Sequence, residues 1–253
     1  LHISVAQKEI NGDYQVSIWG ARLLGTVGAV ADAAVTNTRA FEAEGRAGLV
    51  RPSLRGFDFD SQARKASQEA LAKSDWLGIT TTSFGKDSTL ASHLERLNRA
   101  KTHQVLFNDY AYYLSDDLKE VRVALIVTLA KREVVAGQIG EERMDLKYLI
   151  YHQEFTCVIP LAAPASRYWE NGELWAADQG RRARSAIEFG VDCVGRMFGM
   201  SLAQTRESLA AIQSAGGKVE ISGRPGQIIN LAKEGTLRFD GVGTWVYQVR
   251  DGL

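Results

Sequence analysis

The strongest constraint on what this chain can fold into is a run of strict alternation. Val121, Val123, Leu125, Val127 and Leu129 are interleaved with Arg122, Ala124, Ile126, Thr128 and Ala130. That period of two puts the larger aliphatics on one face of a long β-strand. The preceding run, Val105 to Leu114, joins it through Ser115-Asp116-Asp117, whose side chains accept turn hydrogen bonds, so a β-hairpin is predicted over 104–131. Leu146 to Ile159 reads as a further long strand, stopped by Pro160 and added to the same sheet. From Glu173 to about Met200, Leu174, Ala177, Ala183, Ile187, Val191, Val194 and Phe198 mark an apolar stripe at helical spacing, broken lightly by Gly180, Gly190 and Gly195. Such a helix can cover a sheet face.

Around this centre the signals are shorter. Asn11-Gly12-Asp13 between the runs 2–8 and 14–19 predicts an N-terminal β-hairpin. Alanines and aliphatics at helical spacing predict a first helix over 24–46. A second follows from Asp60 to Ser74, capped by Asp58 or Asp60. Leu77 to Thr82 reads as a short strand, and Asp87 or Ser88 then caps a third helix carrying Leu90, Leu94 and Leu97. A short helix is expected from Ser201 to Ser214. Beyond it, glycines punctuate short β-prone runs, which predicts a small antiparallel meander. The fold class expected is α/β of the α+β kind: a mixed, largely antiparallel sheet flanked by helices. The α/β body spans 20–203, and the β-rich ends, 1–19 and 204–253, form its flanks or a small appended subdomain.

With 253 residues, the chain buries a core without metal or disulfide staples. Thirty basic residues balance thirty acidic ones, so no whole-molecule field favours nucleic acid as a partner. Cys157 and Cys193 are the only cysteines, and the four histidines show no metal-ligand spacing. No metal and no cofactor is expected. The two cysteines leave a disulfide and a pair of buried free thiols equally open. The most apolar stretch, Leu23 to Val35, is interrupted by Asp32 and falls short of the roughly 20 residues that span a bilayer.

Motifs for chemistry are sparse, and no catalytic residue is nominated. Gly85-Lys86-Asp87-Ser88-Thr89 sits between a predicted strand and helix. It lacks the first glycine of a phosphate loop and the hydroxyl directly after the lysine, so it reads as a turn with an acidic cap. Gly25-x-x-Gly28 lacks the dinucleotide G-x-G, and Gly199-Met200-Ser201-Leu202-Ala203 lacks the last glycine of a nucleophile elbow, leaving Ser201 as a helix cap. Asp116 and Asp117 read as solvated turn residues. Arg181, Arg182 and Arg184 form the one dense basic run, a solvated helix face by default. Tyr168, Trp169 and Trp175 flank the start of the long helix. Aromatics beside arginines compose a protein-binding surface if exposed, and loop packing if buried.

Three stretches carry a family resemblance: Leu23-Leu24-Gly25 to Arg39, Phe57-Asp58-Phe59-Asp60 to Trp76-Leu77, and Phe107-Asn108-Asp109-Tyr110 through Ser115-Asp116-Asp117 into Val121 to Leu129. Their order of helix, strand, helix, meander and long helix resembles the domain of the TolB amino-terminal part and of the envelope lipoproteins CsgG and LpoB. The D-Y-x-x-x-L-S-x-D turn is similar to that of uncharacterised bacterial lipoproteins. The resemblance covers about residues 20–200 and is topological. It implies a non-enzymatic periplasmic or outer-membrane-associated protein that docks another envelope protein or itself, with any membrane tie made by a lipid anchor preceding this chain. The rival expectation is a hydrolase or small-ligand binder built from Asp109, His152 and Glu154; a third is a cytosolic structural domain.

Overall fold

The computed structural model describes residues 1–7, 9–12, 42–72, 74–132, 149–205, 207–208, 211, 217–221, 224–232, 235–239 and 244–250. Ten described strands form one sheet: β1 (His2–Val5), β2 (Asn11–Gly12), β3 (Ser83–Gly85), β4 (Gln104–Leu114), β5 (Glu120–Lys131), β6 (Leu149–Pro160), β7 (Gly217–Ile221), β8 (Arg224–Ala232), β9 (Gly235–Phe239) and β10 (Thr244–Val249). Across the sheet they run β3-β1-β4-β5-β6-β10-β9-β8-β7, with β2 beside β4. β1 lies parallel to β3 and β4, β2 is parallel to β4, and β10 is parallel to β6; the remaining pairs are antiparallel. Among the described residues, three helices with both ends in view accompany it, α1 (Phe59–Leu71), α2 (Leu90–Arg99) and α3 (Tyr168–Leu202). The result is the mixed, mostly antiparallel α+β architecture expected. No described helix is long and apolar enough to cross a membrane.

The alternation in β5 decides where the core lies. Val121, Val123, Leu125, Val127 and Leu129 share one buried cluster with Phe155, Cys157 and Ile159 of β6 and with Ile187, Val191, Val194 and Phe198 of α3. Each fully buried side chain of this size contributes about 1.5–3 kcal/mol relative to exposure. α1 is capped by Asp58, whose carboxylate accepts from Ser61 N at 3.1 Å, and it buries Ala63, Ala66 and Ala70 in the same cluster. A buried polar chain ties α1 to β4: Asn108 Nδ2 donates to Ser67 Oγ at 3.1 Å, and Ser67 Oγ lies 2.9 Å from Tyr110 Oη. On the opposite face, Leu97 of α2 is buried against Val105, Phe107 and Ala130. Thr89, one or two residues after the expected caps, caps α2 by accepting from Ser92 N, and Asp87 accepts from Thr89 N at 2.8 Å.

Several local expectations are overridden by distant partners. Asn11-Gly12 is not the turn of a hairpin. It is itself a strand, in register with Tyr113 and Leu114, while β1 inserts between β3 and β4 and is buried on both faces. A Cβ at Gly12 would overlap the Ala43 backbone, so this glycine serves a close approach. Residues 14–19 lie outside the described residues, as does the expected first helix apart from its helical end at 42–47. The strand expected over 77–82 is displaced to Ser83–Gly85. Asp75–Leu77 forms one 3-10 turn, and Gly78, at φ 55°, breaks the extended run.

α3 starts earlier than expected and is two helices, because Asp178, Gln179 and Gly180 adopt φ of 52°, 59° and 73°. Ser201 is not a cap. It lies buried in the last turn, its hydroxyl donating to Gln153 Oε1 at 2.6 Å. Of the helix expected beyond it, 203–205 are not helical, whereas the other described residues, 207–208 and 211, are. The β-rich ends do not form a separate sheet: β1 lies inside this one, and the meander β7 to β10 continues it beyond β6.

Two glycines of α3 separate close packing from helix propensity. A Cβ at Gly190 would overlap Val123 Cγ2, whereas one at Gly199 would rest 3.5 Å from Ala70 O, an ordinary contact. Gly190→Ala is expected to destabilise by about 1–3 kcal/mol, and Gly199→Ala to be neutral or stabilising by up to about 1 kcal/mol. Paired denaturant titrations check this, and equal midpoints for the two variants would contradict the packing account.

Candidate functional site

At the end of the sheet where β4 turns into β5, the chain builds a rigid mount for an exposed aromatic pair. Within the turn, Asp117 accepts from Ser115 Oγ at 2.9 Å and from Lys119 N at 3.2 Å. Leu118 is fully buried at φ 53°. Its carbonyl accepts from Trp175 Nε1 at 2.7 Å, and Asn171 Nδ2 donates to Asp117 O at 2.9 Å. Asn171 and Trp175 are four residues apart and so share a helix face, which they press onto the turn. Asn171 also accepts from Ala165 N at 2.7 Å, closing the loop before the helix.

With that face committed inward, Tyr168 and Trp169 remain 38% and 43% exposed, their rings edge to face at 5.3 Å. Arg46 stacks 4.9 Å from the Tyr168 ring centre, and Arg167 lies 5.4 Å from that of Trp169. Arg46 is held by Nη1 donating to Asp116 O at 2.9 Å. Leu49, 44% exposed, lies against Gly172, where a Cβ would be 3.0 Å from Leu49 Cδ1. Of the three aromatics singled out in the sequence, two therefore lie at the surface. Trp175 does not: it is fully buried because its indole N–H is spent on Leu118. The dense arginine run is not their neighbour. Arg181 pairs with Asp178 at 2.6 Å, and Arg184 Nη2 donates to the carbonyls of Ser53 and Arg55 at 2.8 and 2.9 Å. Arg46 and Leu49 were missed, since no local pattern marks a residue whose partner is so distant in sequence. Arg167 was missed as well, although it is adjacent to Tyr168 in the sequence.

Asp109, His152 and Glu154 share one sheet face but do not converge. Their registers run Asp109–Ile126–Glu154 and Phe107–Thr128–His152, so two strand spacings, about 10 Å, separate β4 from β6. His152 Nδ1 lies 3.0 Å from Thr128 Oγ1. Asp109 instead accepts from Ser4 Oγ and lies 3.2 Å from His93 Nε2, whose ring stacks on Phe107 at 4.2 Å. Serine, histidine and aspartate are thus together, in the wrong order for a nucleophile. A triad needs the imidazole between hydroxyl and carboxylate, whereas here Asp109 Oδ1 is the common partner and Ser4 hydrogen-bonds to a carboxylate. Among the described residues, no group of three or more His, Cys, Asp or Glu side chains could hold a metal ion.

Two nearby imidazoles are kept neutral. Burial pushes His2 down to about 4; the Arg96 guanidinium adds to this and Asp109 opposes it. Burial also lowers His152, again against Asp109. Because the folded protein resists protonating His2, the unfolded chain binds the extra proton as pH falls below about 6.5, and stability drops until about pH 4, where both states are charged. From pH 7 to pH 5 the His2 contribution is about 1 kcal/mol after solvent screening. His2→Asn should reduce the pH 7 to pH 5 loss in melting free energy by that amount, and an unchanged loss would contradict it.

Cys157 and Cys193 are free, buried thiols on facing elements, β6 and α3. Burial pushes the Cys157 thiol well up, and the adjacent Cys193 pushes it further, so it is a poor nucleophile. A thiol reagent should find neither cysteine in the native protein and both after denaturation without reductant. Zero after denaturation would mean a disulfide. Comparison with protein-family models, with curated proteins and with solved structures finds no match for this chain.

Proposed function

We propose that this protein is a non-enzymatic component of the bacterial cell envelope, periplasmic or associated with the outer membrane, that docks another envelope protein through the Tyr168–Trp169 patch. The observation that carries the reading is the patch itself. Two aromatics and Leu49 stand exposed on a mount fixed by Asn171 and Trp175, with Arg46 and Arg167 against the rings. Tyr, Trp and Arg are the residue types that dominate binding energy at interfaces, and a pre-ordered patch loses little entropy on docking. The Ser4–Asp109–His93 connectivity supports a binding role over hydrolysis.

A photo-crosslinking side chain placed at position 169 in the bacterial cell tests this, with exposed Ser185 of α3 as the control position. One defined protein adduct at 169 and none at 185, in the envelope fraction, is expected. Trp169→Ala should weaken the isolated complex roughly 10- to 30-fold without shifting the melting temperature. An adduct to a second copy would assign self-association. Equal labelling at both positions, or recovery in the cytoplasm, would count against the proposal.

A further inference from the structure

The opposite end of the sheet, where β4 begins and β5 ends, holds a cleft of about 820 Å³ walled by the 77–83 segment, α2 and the strand ends. That volume falls within the roughly 300–1,000 Å³ of small-molecule sites. Its floor combines two chemistries. Leu77, Ile79, Val105 and Leu106 supply apolar surface, while His2, Ser83, Ser92 and Arg96 supply polar groups. Arg96 and His2 crowd the same side of Gly85: a Cβ there would lie 2.7 Å from Arg96 Nη2 and 3.0 Å from His2 Nε2. Both Arg96 Nε and His2 Nε2 are buried without a hydrogen-bond partner. Unpaired buried donors are costly, and their usual explanation is a ligand or water in the intact site.

Asp109 acts on His2 and Asp87 on Arg96 only from a distance. Arg99 is matched by Glu95 at 2.6 Å, but among the described residues no carboxylate pairs with Arg96, and Lys101 also lines the cleft. His2 Nδ1 lies 2.9 Å from Ser83 Oγ. With the Ser83 hydroxyl donating to Nδ1, Nε2 carries the proton and becomes a second donor beside the guanidinium. We propose that this cleft binds a small molecule bearing an oxyanion, a carboxylate or a phosphate, with Arg96 as its charge partner, His2 Nε2 as the second donor and an apolar body against Leu77, Ile79 and Val105. An arginine fork suits either oxyanion. The site is independent of the aromatic patch at the other end of β4.

Calorimetric titration of the purified chain at pH 7 with octanoate, inorganic phosphate and uncharged octanamide tests this, with Arg96→Gln and Arg99→Gln as variants. Octanoate is expected to bind at least 10-fold tighter than octanamide and tighter than phosphate. Arg96→Gln should lose at least 10-fold and Arg99→Gln little. On the unaltered protein, octanoate should shift the His2 ring resonances at the same concentrations, a readout that survives if a variant fails to fold. Equal octanoate and octanamide affinity, an unmoved His2 ring, or no binding of either oxyanion overturns the proposal. Equal affinity for phosphate and octanoate overturns its apolar half.

Discussion

Strand β5 is buried on both faces along almost its whole length, and the rest of the structure follows from having to seal it. Its backbone polar groups must be paired within the sheet, since a buried amide without a partner costs as much as a lost hydrogen bond. β4 and β6 do that along nearly every residue. Its aliphatic face must be covered by a helix, and α3 comes close enough only because Gly190 has no side chain to meet Val123. Small residues on α1 extend the same solution sideways, with Ala66 facing Gly195. The other face is closed at one end by α2 through Leu97 and Phe107.

The two ends of the β4–β5 pair then acquire different characters. At the turn, a non-glycine residue in the left-handed region costs of order 1 kcal/mol. Leu118 is held there by complete burial and by the Trp175 hydrogen bond to its carbonyl. The strained turn and the first turns of α3 therefore stabilise one another, and the outward face of that helix is presented without freedom to relax. At the far end, roughly 35 Å away along the 11 residues of β4, the strands stop against an irregular segment. Among the described residues no helix face fills the gap, and polar groups from β1, β3 and α2 face a cleft.

Legibility tracked the range of the interactions involved. The alternation at 121–129, the stop at Pro160 and the Asp58 cap are written in neighbouring residues, and each is realised where expected. Asn11-Gly12 failed because a strong local turn signal lost to pairing with β4, whose partner residues are a hundred positions away. Tyr168, Trp169 and Trp175 could be named as a group from composition. Their division into two surface rings and one buried one depended on which indole reached Leu118. Ser4 and His93 could not have been joined to Asp109 at all, since each becomes its neighbour only after β1 and α2 have packed.

By itself the amino-acid sequence determined the periodicity of the long elements, the extended runs at 104–131 and 149–159 and the apolar stripes of α1 and α3, because that periodicity arises from the geometry of a few consecutive residues. Tertiary structure alone decided adjacency. It placed β1 between two parallel neighbours, joined the C-terminal meander to β6, set Asp109 between a hydroxyl and an imidazole, and left Arg96 Nε buried without a hydrogen-bond partner beside an open cleft. The physical reason is that packing free energy and charge pairing are properties of residues brought together in space, and nothing in the spacing of a single segment records them.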